Sequence, residues 1–311
     1  PHPPLPAPEP GPTAPDPEPP VAEARSVPAP PAAHHAGRPP AAGRAVRRPA
    51  ALRAELPGGE WLYAKLYVPA ALQRDVLVRH LPTLLRADLL DEAGADRWFF
   101  LRYADPDPHL RLRVHGTPEG LWPVFLPALR EWAEALREAG LMDRLVLDTY
   151  EPETERYGGP RALPEAERVF AADSATVLGQ LATPAAESDA APGILHILTC
   201  LGAPAEALEW LSGPEVLARR ADVSRADKQA VAYALTPTGA PQAPPAWRSR
   251  SAALDRLRAV LAPRSRASVA LSLAHLHCNR LLGTDRVRDL RAHATARESL
   301  RLRLDRTRHG R

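Results

Sequence analysis

Between residues 58 and 150 the spacing of apolar positions switches back and forth between two periods. Residues 61–68, Trp-Leu-Tyr-Ala-Lys-Leu-Tyr-Val, are rich in aromatic and branched side chains and read as a strand. Residues 70–90 place apolar groups three and four apart, the period of a helix with one buried face; Pro82 is expected to kink or divide it. An apolar run at 97–103 leads through Asp105-Pro106-Asp107-Pro108 into 109–115, which alternates strictly. There His109, Arg111, Arg113 and His115 fall on one face, and Leu110, Leu112 and Val114 on the other. The pair reads as a hairpin. Residues 119–139 predict a second helix stopped by Gly140, and 144–150 a fourth strand. The order β-α-β-β-α-β predicts an α+β fold with an antiparallel sheet in a ferredoxin-like (split βαβ) arrangement. Beyond Tyr150 the pattern turns mostly helical, with helices expected at 164–182, 190–212, 225–235, 249–262, 266–282 and 286–304. Pro-rich breaks are expected at 184–192 and 236–246.

Composition adds a boundary. Much of the chain's complement of 37 prolines falls in residues 1–57, which hold few large apolar side chains and no period. Such a stretch does not bury enough surface to offset its ordering entropy, so a disordered, partly polyproline tail or linker is expected there. One domain is then expected over 58–305, with an α+β part at 58–160 and a helical part at 161–305, followed by a disordered basic end at 306–311. The chain opens on Pro rather than Met, as a fragment or a processed chain would, which leaves room for a preceding domain. A formal net charge of +3 is too weak to point to DNA. Two cysteines, Cys200 and Cys278, offer neither a disulfide framework nor a metal-ligand spacing. The absence of a long apolar run or signal-peptide pattern makes a cytoplasmic protein the expectation.

Three blocks carry candidate chemistry. Arg111 and Arg113 offer guanidinium forks suited to a carboxylate, although a row of charge on a sheet is more often a solvated face. Residues 150–159, Tyr-Glu-Pro-Glu-Thr-Glu-Arg-Tyr-Gly-Gly, bring Glu151, Glu153, Glu155 and Arg156 into a turn, either an acid/base cluster or an exposed acidic loop. Residues 271–283 form a largely apolar helix that carries His275, His277, Asn279 and Arg280. Those groups are either functional or tie helices together in a core. Zinc is disfavoured, because His275 and His277 diverge on a helix.

Taken in order, FFLRYADPDPHLRLRVHG, YEPETERYGG and SLAHLHCNRLLG resemble the C-terminal elimination domain of class I lantibiotic dehydratases, including the thiopeptide-type bacteriocin biosynthesis proteins. GGEWLYAKLYVP matches as well, as do Glu165 through Phe170, Asp173 and Ser174, so the resemblance covers about residues 58–305. It implies that a glutamyl-tRNA-dependent enzyme, here expected to be a separate subunit, esterifies Ser and Thr of a precursor peptide with glutamate. This domain then removes glutamate to leave dehydroalanine or dehydrobutyrine, with no metal and no organic cofactor. The resemblance carries the elimination role onto Arg111, Arg113, Glu153, Arg156 and His275, and implies that His109 and His115 only share the face of the arginines.

Three rivals remain open. A pyridine synthase on the same scaffold would join two dehydroalanines, but such relatives tend to lose the elimination residues present here. A non-catalytic subunit would bind the precursor peptide along an open sheet edge. An Arg-rich C-terminal helix would touch tRNA.

Overall fold

The structure, a computed structural model, describes residues 54–234 and 245–308. The sheet is built from β1 (Trp61–Tyr67), β2 (Ala95–Tyr103), β3 (His109–Gly116) and β4 (Arg144–Leu147) in the order β2-β3-β1-β4. Every neighbouring pair is antiparallel. Since β1 and β2 both run against β3, they run parallel to each other with β3 between them. The first crossover is therefore a βαβ unit split by a third strand, and the second, from β3 to β4 around β1, is built in the same way. The expected α+β class and its helical C-terminal part are both present.

The crossover helices are α1 (residues 73–84), α2 (Ala87–Glu92) and α3 (residues 118–138). Both long helices contain a π turn, at Val76–His80 and at Leu121–Phe125. Each lies at a proline, Pro82 just after the first and Pro123 within the second. A proline has no N–H for the i−4 carbonyl, and a wider turn accommodates the missing bond without ending the helix. Pro82 thus perturbs α1 rather than dividing it; the break comes at Leu85 and Arg86.

Strand alternation sorts the sheet into two faces. Leu62, Ala64, Leu66, Phe100, Leu110, Leu112 and Val114 are buried in the core that the crossover helices cover. Tyr63, Phe99, Leu101, Arg111 and Arg113 take the other face. After a 3-10 turn at Thr154–Tyr157 come α4 (Leu163–Gln180), α5 (Glu187–Leu201), α6 (Pro204–Trp210), α7 (Pro214–Ala218), α8 (Arg225–Ala234), α9 (Pro245–Val260), α10 (Arg266–Leu282) and α11 (Arg286–Arg308).

Several boundaries differ from expectation. The helix expected at 190–212 is two helices divided at Gly202, which lies against the Trp210 ring; a Cβ there would approach the ring to 2.3 Å. Pro192, expected in a break, lies inside α5. The fourth strand ends at Leu147, and Tyr150 instead exchanges two backbone hydrogen bonds with Glu55, at 2.8 and 3.0 Å. Glu55, within the tail expected at 1–57, thus pairs with the folded part. Helix α11 extends to Arg308, into the part read as a disordered basic end. The expected tail at 1–53 and most of the break at 236–246 lie outside the described residues.

Strand β2 is an edge strand, yet the outward groups of Phe100 and Arg102 are occupied. The Phe100 N–H donates to Ser174 Oγ (3.2 Å), and Arg280 Nε donates to the Phe100 carbonyl (3.0 Å). The Asn279 amide accepts from the Arg102 N–H and donates to the Arg102 carbonyl, both at 2.9 Å, as a neighbouring strand would. Helices α4 and α10 therefore close this edge with side chains.

Candidate active site

All five residues singled out in the sequence, Arg111, Arg113, Glu153, Arg156 and His275, line one cleft of about 460 Å³. Its floor is the aromatic face of the sheet. Its walls are the 3-10 turn, α10 and the start of α11.

Arg113 is 8% exposed. Its guanidinium carbon lies 4.4 Å from the centroid of Tyr63, 4.7 Å from Tyr150 and 5.4 Å from Phe99. Its Nε is buried without a hydrogen-bond partner. Arg111 stacks on Tyr103 at 3.3 Å and donates from Nε to His109 Nε2 at 3.1 Å. Neither arginine forms an ion pair with a carboxylate among the described residues. A buried guanidinium held by aromatic rings, with no ion pair, has room to bind an anion. The row of charge is thus not a solvated face.

Arg156 is bound to both carboxylate oxygens of Glu153, at 3.2 and 3.1 Å, and reaches Ser272 Oγ on α10 at 3.3 Å. That contact sets the acidic turn one helical turn before His275. His275 is 42% exposed, and its Nδ1 lies 3.2 Å from Asp289 Oδ2. Asp289 is 4% exposed; it also meets Arg286 at 2.6 Å and His293 at 3.3 Å. Burial alone would push its carboxyl up. The contacts with His275 and His293 outweigh that and hold it well below the usual carboxylate range. With Nδ1 directed at this carboxylate, His275 has Nε2 left for other partners.

The other members of the 275–280 block have structural duties. His277 is fully buried, with Nδ1 2.9 Å from Asp173 Oδ1. Asp173 also accepts from Arg250 at 2.7 Å and Arg280 at 2.8 Å. Of the two histidines only His275 lines the cleft, and His109 is buried between Tyr67 and Tyr103. His115 meets Asp96 at 2.6 Å, away from the cleft lining.

Three groups went unnoticed in the sequence. Asp289 sits in a helix that reads as plainly basic. Tyr150 lines the cleft and donates to Glu167 Oε1 at 2.9 Å. Burial pushes the Glu167 carboxyl up to about 7, against Tyr150 and the charges of Arg97 and Arg113. Below the unfolded value near 4.5 both states hold the proton; between 4.5 and about 7 only the native state does. Native stability therefore falls as pH rises through that window. Glu167→Gln is expected to remove this dependence and to stabilise the protein at pH 8 by up to about 3 kcal/mol, read from thermal unfolding at pH 5 and pH 8.

Cys278, Asp289 and His293 bring potential ligand atoms within 4.8 Å of one another. A cation there would adjoin the Arg286 guanidinium and require the Cys278 thiol to ionise, which burial strongly opposes. This trio therefore fits an internal hydrogen-bonded cluster better than a metal centre. Most cations of α11 are already matched, Arg288 with Glu187, Arg291 with Asp222, and Arg297 with Glu298. That weakens the case for tRNA on this helix. Among the described residues, no single helix is long and apolar enough to cross a membrane.

Family comparison agrees with this geometry. The profile of the lantibiotic biosynthesis dehydratase C-terminal domain matches residues 61–300, and the chain belongs to that family. Among curated relatives, the subtilin biosynthesis protein SpaB of Bacillus subtilis is 38% identical over 128 residues, 40% of this chain and 12% of SpaB. The nisin biosynthesis protein NisB of Lactococcus lactis subsp. lactis is 36% identical over 124 residues, 39% of this chain and 12% of NisB. Among solved structures, the tRNA-dependent lantibiotic dehydratase MibB from Microbispora sp. 107891 aligns with a TM-score of 0.67 and 28% identity, over 81% of this chain and 29% of MibB. The pyridine synthase TbtD from thiomuracin biosynthesis aligns with a TM-score of 0.55 and 16% identity, over 78% of this chain and 97% of TbtD, a likeness of fold alone. The chain therefore spans only a minor part of the curated relatives and of MibB.

Proposed function

We propose that this chain eliminates glutamate from glutamylated Ser and Thr residues of a ribosomally made precursor peptide, a lyase reaction that leaves dehydroalanine or dehydrobutyrine. The observation that carries it is Arg113, a buried guanidinium lining the cleft with aromatic neighbours and no ion pair among the described residues. In the reaction a base removes the Cα proton of the esterified residue. The electron pair forms the Cα=Cβ bond as the bond from Cβ to the ester oxygen breaks, and glutamate departs as a carboxylate. Negative charge develops first on the peptide carbonyl and then on the leaving group. Arg111 and Arg113 are placed to receive it, and fixed donors at such positions lower barriers by a few kcal/mol each. His275, oriented by Asp289, serves as the acid/base group. Arg156, paired with Glu153, completes the cationic wall.

Under this reading the glutamylated peptide comes from a glutamyl-tRNA-dependent enzyme on a separate chain. The name of MibB, a tRNA-dependent lantibiotic dehydratase, supports a tRNA-dependent step in the reaction sequence and does not bear on whether that step lies on a separate chain. The pyridine-synthase alternative draws on fold alone, whereas the two cleft arginines without carboxylates suit an anionic leaving group. The test is incubation with a glutamylated Ser peptide followed by intact mass spectrometry. Loss of the whole glutamyl group together with the Ser oxygen is expected. Cycloaddition of a polydehydrated peptide, with no action on the glutamylated one, overturns the reading.

Asp289→Asn is expected to slow elimination by about 10- to 100-fold, less than the roughly 10⁴-fold seen when a buried His–Asp pair is broken, because His275 is half-open to solvent. Single-turnover rates of glutamate release check it.

A further inference from the structure

On the far side of His275 lies a second pocket of about 390 Å³, at the small end of the roughly 300–1,000 Å³ range of ligand sites. Trp210, Pro214, Val216, Leu271 and Leu290 give it an apolar lining. It adjoins the cleft: His275, Arg286 and Asp289 line both. Leu271 lies one helical turn before His275 on α10, and Leu290 directly follows Asp289 on α11, so the elements that hold the acid/base pair also build this pocket. The charge at its mouth is balanced internally. Arg286 binds Asp289 at 2.6 Å and Glu215 at 2.5 Å, and the Arg286–Glu215 pair is exposed.

We propose that this pocket is a specificity subsite, which takes an apolar side chain of the substrate peptide within two residues of the one undergoing elimination. The proposal rests on the elimination reading. An extended peptide advances about 3.3 Å per residue, and its side chains alternate in direction. With the reacting residue held between the arginines and His275, a neighbouring side chain passes the shared wall. The pocket offers that side chain hydrophobic contact and no free charge, so Leu- or Phe-sized groups suit it and acidic ones do not.

The test uses the full chain and two series of peptides, each carrying Gly, Leu or Asp at positions flanking the reacting residue. One series bears an amide in place of the glutamyl ester, so that binding is read without turnover, by fluorescence anisotropy. The other bears the ester, and glutamate release is followed. Leu at one flanking position is expected to tighten binding about tenfold over Gly, in line with the discrimination apolar pockets achieve. Val216→Trp or Leu290→Trp, which fill the pocket, should erase that preference while leaving the Gly peptide within about twofold. Equal affinity for Gly and Leu peptides at every position overturns the subsite, as does a preference that both filling variants retain. A preference that the filling variants erase, seen without any glutamate release, supports the subsite and fails the elimination reading instead.

Discussion

Arg113→Ala is expected to leave glutamylated peptide accumulating, with elimination slowed by about 10²–10³-fold, the usual cost of removing one donor aimed at developing charge. The argument starts from the sheet. Alternation along β3 turns Arg113 to the cleft, and the register places Tyr63 and Phe99 beside it. Rings on three sides fix the guanidinium plane and exclude water, which strengthens the field it exerts on a bound anion. Arg113→Lys keeps the charge but loses the planar fork and its stacking, so an intermediate rate is expected. Arg113→Ala should also push the Glu167 carboxyl higher, because Arg113 is one of the charges that hold it down. Quantitative mass spectrometry of the product reads the first effect. Full dehydration by Arg113→Ala would remove this residue from the mechanism.

The second large effect concerns stability. Asp173→Ala is expected to cost about 3–5 kcal/mol, the range for stripping one partner from a buried charge network. Among the described residues, Asp173 is the single carboxylate paired with Arg250, Arg280 and His277, each 1% exposed or less. Burial pushes its carboxyl up, but these partners outweigh burial and hold it charged, well below the usual range. Without it two guanidiniums stay buried and uncompensated. The loss spreads because Arg250 also donates to His196 on α5 and Arg280 to the Phe100 carbonyl on β2. A typical domain has about 5–15 kcal/mol in total, so the variant should unfold at a much lower temperature or be recovered poorly. Calorimetry of the purified variant checks this, and an unchanged Tm would contradict it.

The strictly alternating strand at 109–115 and the apolar run before it were legible because one period governs them. The three polar blocks could be recognised together for the same local reason: each is contiguous. What stayed hidden depends on partners far away in the chain. Asp173 and His277 are 104 residues apart, and Arg102 and Asn279 are 177 apart. Nothing local separates His275, which lines the cleft, from His277, which is spent on the core. Asp289 was masked by the arginines around it, and Glu167 by a helix whose pattern gives no reason for a buried carboxylate. The row at 109–115 suggested a wet face, since a sequence does not show that Tyr63, Tyr103 and Tyr150 close over it.

The side-chain closure of strand β2 bears on how the chain tolerates being cut. Asn279 and Arg280, which cover the backbone of Phe100 and Arg102, come from α10, far downstream of Leu147, where the sheet is complete. A piece ending after the 3-10 turn would hold all four strands but present β2 as a bare template for other chains. Such a piece is expected to aggregate even though its own strand pairings are intact. Nascent chains face the same hazard until the segment carrying Asn279 has been made, so solubility during synthesis depends on late residues that protect an early strand.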